Sequence, residues 1–213
     1  LYANIDGFKF EEVAIPPKER PEIDQWILSE LHTLIKNTSN YFDNYESTKA
    51  CRVISYFVTE DLSNWYVRLC RRRFWKGPYE SDKIAAYQTL YECLISVAKL
   101  MAPVAPFYAD RLYQDLNSIT QQETASSVHL AYYPKSNNAF INPVLEQKMQ
   151  RAQKITSLVL SLRKREKIKV RQPLQRIMIP VLDDIERKQV AAISSLIASE
   201  VNVKQVELLD DTS

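Results

Sequence analysis

The chain predicts a mainly α-helical bundle that ends in a small strand–helix–strand appendage. Three observations carry the prediction. Two glycines stand against ten prolines, so residues suited to positive φ are scarce and long helices are favoured. Apolar residues recur at helical spacing through most of the chain, as they do on a helix with one buried face. After Pro173 that spacing gives way to short Ile- and Val-rich runs, which is the pattern of strands.

Residues 1–22 carry Gly7, Pro16, Pro17 and Pro21 without a sustained period and read as a linker or arm, with a short strand around Phe8 and Phe10. A first helix from about Glu22 to Tyr41 aligns Ile23, Trp26, Ile27, Leu31, Leu34, Ile35 and Thr38 on one stripe. A turn at Asp43 and Asn44 leads into a second helix over 47–74, whose core face is Ala50, Val53, Ile54, Phe57, Val58, Leu62, Trp65 and Leu69. Asp61 interrupts that face as a candidate buried acid, although such a residue is more ordinarily hydrogen-bonded or partly exposed. Lys76, Gly77 and Pro78 then stop the helix.

Ser81 is a suitable N-cap for a third helix with Ile84, Tyr87, Tyr91, Leu94, Ile95, Ala98 and Met101 facing inward. Pro103 and Pro106 break it, because proline lacks a donor and clashes with the preceding turn. A short helix over 107–116 resumes with Phe107, Leu112, Tyr113 and Leu116 inward, and residues 117–141 read as polar loop. Asn142 and Pro143, a cap followed by proline at the first helical position, open a helix to about Lys167. Its expected buried face is Val144, Leu145, Met149, Ala152, Ile155, Val159 and Leu162. A strand from Ile177 to Val181, a helix from Ile185 to Ser199 and a strand from Val201 to Leu209 close the chain. The expected division is an arm (1–22), a helical domain (23–172) and a small α/β segment (173–213) that reads as incomplete, since a lone pair of strands is marginal.

The 213 residues carry a net charge of only +2, so a polyanion must be met by local clusters and not by a global field. Cys51, Cys70 and Cys93 are odd in number and widely spaced, which argues against both a disulfide framework and a metal site. No serine or cysteine is matched with a histidine and an acid, and Gly7 and Gly77 are too isolated for a phosphate-cradling loop. The expected catalytic set is therefore empty. No signal peptide and no apolar run long enough to cross a membrane appear, which points to a cytoplasmic location. Leu1 in place of an initiator methionine suggests a piece of something longer.

The stretch over 64–75 is the most informative. On a helix Arg68, Arg71, Arg72 and Trp75 share one stripe, with Arg73 and Phe74 between them and Trp65 alongside. Cations near a helix C-terminus complement its dipole, and that alone accounts for one or two of them. It accounts less well for three consecutive arginines framed by tryptophans. Guanidinium forks suit phosphates, and aromatic faces suit unstacked RNA bases. A second cluster, Arg163, Lys164, Lys167, Lys169 and Arg171, follows the helix that Pro143 opens. Three readings stay open: a nucleic-acid site, a helical protein-interaction module with an acidic partner, and solvated helix ends.

Seven runs then align in order: YANIDGF at 2–8, RPEIDQWILSEL at 20–31, DLSNWYVR at 61–68, RRRFW at 71–75, MAPVAPF at 101–107, SVHL at 127–130 and KVRQPL at 169–174. In this order the chain resembles the class I aminoacyl-tRNA synthetases beyond their catalytic domain, and their isoleucyl branch most closely, although the valyl and leucyl branches share the bundle. The resemblance implies a helical anticodon-binding domain followed by the start of a C-terminal junction. It implies tRNA(Ile) as partner, chiefly through its anticodon stem-loop, and a monomeric parent. ATP and Mg are implied for the parent alone: the family's ATP-binding signatures are missing here, so this piece is not expected to adenylate isoleucine. In the related methionyl enzymes the end of the equivalent helix meets the anticodon, which here falls near Arg71 to Trp75.

Overall fold

A computed structural model describes residues 2–210; Leu1, at the start of the expected arm, and residues 211–213, at the end of the expected C-terminal segment, lie outside them. The fold divides into two units between Asn142 and Pro143.

In the first unit a short helix α1 (Tyr2–Ile5) opens the arm. The strand expected around Phe8 and Phe10 does not form: Gly7 and Phe10 take positive φ, of 73° and 65°, and break any extended run. The arm instead packs on α5 (Ser81–Met101). Asp6 accepts from Lys83 Nζ at 2.7 Å and from the Tyr87 hydroxyl at 2.5 Å, and Phe8 sits 5.2 Å from the Tyr87 ring. Further along, Arg20 donates to Glu92 at 2.7 Å and to Thr89 Oγ1 at 2.9 Å.

Helix α2 (Glu22–Asp43) buries Trp26, Ile27, Leu31, Leu34, Ile35 and Thr38, the stripe its spacing predicts. Asn44 closes it, and Tyr45 turns the chain with φ 59°. The next stretch departs from expectation. Residues 47–74 do not form one regular helix: α3 (Ser47–Tyr56) widens into a π-helical segment (Phe57–Val67), Cys70 makes a turn, and α4 (Arg71–Trp75) follows. In a π-helix residues five apart replace those four apart as neighbours along the axis. Phe57 with Leu62 and Asp61 with Tyr66 are accordingly buried pairs. The phase shift brings Tyr66 and Cys70 into the core and leaves Leu69 only half-buried.

Helix α5 packs on α2 and on α6 (Pro106–Thr120). Tyr91, Ile95, Ala98, Ala109, Tyr113 and Val128 make one core cluster between α5, α6 and a 3₁₀ turn at Val128–Leu130. Asp110 pins that turn by accepting from Ser127 Oγ at 2.7 Å and from Val128 N at 2.9 Å. Phe107, expected inward, is 91% exposed. The helix starts only at Pro106, and Ala109 and Tyr113 set its buried face.

The second unit begins with α7 (Pro143–Arg165), where the Asn-Pro signal places it. Its buried residues are Leu145, Met149, Ala152, Thr156 and Arg163, whereas Val144 is exposed. Strands β1 (Leu174–Val181) and β2 (Val203–Asp210) pair in parallel, with Ile177 opposite Val206. Between them lie α8 (Asp184–Ala191), capped by the Asp183 side chain on Glu186 N, and α9 (Ser194–Val201). The helix expected over 185–199 is thus two, separated at Ala192 and Ile193. Helix α7 packs on α8 and α9, and for that reason it groups with the strand–helix–strand segment, ahead of the change of period at Pro173.

Candidate nucleic-acid interface

The cationic tip is set by one buried pair. Asp24, on the first turn of α2, is 0% exposed, and its two carboxylate oxygens accept from Arg73 Nη1 and Nη2 at 2.8 Å each. The Tyr66 hydroxyl donates to the same carboxylate at 2.8 Å. Arg73 also donates through Nε to Asp82 at 3.0 Å and through Nη2 to the Asp82 carbonyl at 2.8 Å. Burial opposes the Arg73 charge, but the Asp24 carboxylate outweighs it and holds the guanidinium above its ordinary range. Burial, with Asp24 adding to it, raises the Tyr66 phenol. Four segments distant in sequence, α2, the π-helical segment, α4 and α5, meet in this network.

Phe74 continues the anchor. It is 6% exposed, stacked on Tyr87 with ring centroids 5.5 Å apart and edge-on to Tyr66 at 6.5 Å. Gly77 then lets the chain leave the tip closely: a Cβ there would stand 3.1 Å from the Arg73 carbonyl oxygen.

What remains outward is narrower than the sequence suggests. Arg71 and Arg72 are exposed, and Trp75, one turn on from both, is 56% exposed. Lys76 places Nζ 5.1 Å from the Trp75 ring centre. Arg68 is exposed, with its guanidinium carbon 5.9 Å from the Trp65 ring. Of the expected contact set, Arg73 and Phe74 therefore serve the fold: one is committed to two aspartates and the other to a ring stack. Sequence reading passed over Lys76 as a stop signal, and its position in the last turn beside a tryptophan was the available clue.

In the second unit Arg163 is likewise internal. It is 3% exposed and donates to the carbonyls of Lys169 and Gln172 at 3.1 Å and of Asn202 at 3.0 Å. Those bonds tie the end of α7 to the loop beyond it and to the turn before β2. Lys164, Lys167, Lys169 and Arg171 stay exposed around it, with Lys167 at φ 57° as the chain leaves the helix.

Among the described residues no group of three or more His, Cys, Asp or Glu side chains is placed to hold a metal ion, and no helix is long and apolar enough to cross a membrane. The tip presents exposed guanidinium forks and an indole face on a helix end anchored by the Arg73–Asp24 pair.

Comparison with known proteins gives the class of this helical bundle. The anticodon-binding domain of tRNA ligases matches residues 24–179, and the chain belongs to that family. Its curated relatives include isoleucine--tRNA ligases from Bacteroides fragilis, 56% identical over 210 residues and 99% of this chain, from Cytophaga hutchinsonii, 55% identical over 213 residues and 100% of it, and from Thermus thermophilus, 38% identical over 209 residues and 98% of it. The chain spans 18%, 19% and 20% of those three proteins.

Proposed function

We propose that this chain is the anticodon-binding part of an isoleucine--tRNA ligase and that Arg71, Arg72 and Trp75, flanked by Arg68 and Lys76, meet the anticodon stem-loop of tRNA(Ile). One observation carries the reading. A buried ion pair, Arg73 with Asp24, fixes a short helix whose remaining cations and indole point outward, on a chain of the tRNA-ligase anticodon-binding family. The arginines supply phosphate and base-edge contacts and Trp75 a stacking face; phosphate contacts position the RNA and base contacts identify it. Lys164, Lys167, Lys169 and Arg171 in the second unit are a separate backbone contact.

In the whole ligase this binding orients tRNA toward a distant reaction centre, an effect on geometry and not on bond chemistry. ATP and Mg serve that centre; the chain by itself does not aminoacylate. The reading supposes a cytoplasmic, monomeric parent. It is tested by filter binding with tRNA(Ile) transcripts. A changed anticodon weakens binding more than a changed acceptor stem does; equal losses mean general backbone attraction and overturn the assignment.

A further inference from the structure

The arm that precedes α2 meets the cationic tip at three places. Helix α1 packs directly on α4. Tyr87 of α5 joins arm and tip a second time: its ring lies 5.2 Å from that of Phe8 and 5.5 Å from that of Phe74. The Tyr87 hydroxyl donates to Asp6 at 2.5 Å and stands 3.3 Å from the Phe74 carbonyl. That carbonyl lacks the usual donor four places on, because Pro78 has no N–H. Just beyond the tip, the Tyr79 hydroxyl donates to Glu12 of the arm.

The arm itself is lightly held. Among residues 2–19 Phe8 is the one buried side chain, and α1 buries nothing. Segments with few buried apolar contacts open locally at low cost. Gln88, which accepts from Ile15 N at 2.9 Å, and Arg20, bonded to Glu92, hold the far end, so the opening concerns residues 2–12. Docked and open arms are then two states of one folded chain. On opening, Tyr87 loses the ring of Phe8 and the carboxylate of Asp6, and Phe74 is left stacked on a side chain no longer fixed from behind. Phe74 is the buried residue of α4, the helix that carries Arg71, Arg72 and Trp75.

We infer that residues 2–12 are a strap that sets the RNA-binding tip, with Phe8 as a positioning residue acting through Tyr87. RNA binds the strap-docked state more tightly, and by reciprocity bound RNA keeps the strap docked. The coupling is limited by the aromatic pair that opening breaks, which is worth about threefold to tenfold in affinity. The inference rests on the RNA-binding reading above and adds to it a segment that controls the tip from outside.

Amide hydrogen exchange on the full chain, with and without a saturating tRNA(Ile) transcript, reads one direction of the coupling. The amides of Asp6 and Phe8, bonded to the carbonyls of Tyr2 and Ala3 at 2.9 Å, exchange as the strap opens and slow about threefold to tenfold with RNA bound. Filter binding reads the other direction: Phe8→Ala, folded by circular dichroism, binds the transcript more weakly by about the same factor. In the Arg71→Ala with Arg72→Ala background that penalty shrinks below about twofold, because the strap acts through those side chains. An undiminished penalty there means that the arm touches RNA itself, and overturns the positioning role. Slowed exchange without a Phe8→Ala penalty means that RNA only covers the arm, and overturns it too. Exchange that RNA leaves unchanged overturns the strap outright, and this arm of the test needs no variant should Phe8→Ala fail to fold. If the transcript binds with its anticodon preference while exchange and Phe8→Ala are both silent, the strap falls and the anticodon-binding reading stands. If the wild type shows no anticodon preference, both fall.

Discussion

Arg73 and Asp24 form a two-pronged ion pair, both contacts at 2.8 Å, and that pair holds the cationic helix end against the start of α2. The outward residues owe their positions to it.

Removing one partner of a buried pair strands the other. Asp24→Ala is expected to cost about 3 kcal/mol, toward the low end for such changes because Arg73 keeps its contacts with Asp82. Urea unfolding measures this. A change below about 0.5 kcal/mol, the range of surface substitutions, would show that the pair does not anchor the tip.

Phe74 and Trp75 are neighbours with opposite assignments. Phe74→Ala opens the ring stack and is expected to lower stability by about 3 kcal/mol. Trp75→Ala is expected to leave stability within about 0.5 kcal/mol and to weaken RNA binding by about 1–3 kcal/mol through lost base stacking. Thermal melting and filter binding on the same two variants separate the effects; the reverse pattern would exchange the two roles.

The cysteines report the same packing. Burial pushes the Cys70 thiol up to about 11, with Arg73 pulling weakly the other way, and burial raises Cys93 as well. The reactive form is the thiolate, so neither reacts at neutral pH in the folded chain. Cys51 is exposed. A thiol reagent is therefore expected to modify Cys51 first and the other two only on unfolding, as read by peptide mass analysis.

Within the second cluster Arg163 differs from its neighbours. Arg163→Ala is expected to destabilise the second unit by about 1–3 kcal/mol, since the buried guanidinium's bonds to the carbonyls of Lys169, Gln172 and Asn202 are lost. Replacing Lys164, Lys167, Lys169 and Arg171 by alanine is expected to spare stability and to flatten the salt dependence of tRNA binding. Unfolding curves and a salt titration on the two variants decide it.

Much of the helical plan was legible. Trp26, Ile27, Leu31 and Leu34 sit at plain helical spacing, and Asn142 with Pro143 marks a start with its own mechanism. The π-helical segment was not legible, because Phe57, Leu62 and Trp65 satisfy a 3.6-residue period nearly as well as a wider one. Of the cationic tip, the sequence showed its place but not its division of labour. Arg71, Arg72 and Arg73 are chemically alike, and what sets Arg73 apart is Asp24, a residue remote in sequence that joins it only in the fold. Arg163 was hidden for another reason: its acceptors are backbone carbonyls, which every residue carries.

The most direct measurement is the affinity of Arg71→Ala with Arg72→Ala for a tRNA(Ile) transcript across a range of salt. With circular dichroism unchanged, the double variant should bind more weakly, and its log–log salt slope should be shallower by about 1.4, from two single-strand phosphate contacts at ~0.7 each. Wild-type affinity and slope in a folded double variant would contradict the account.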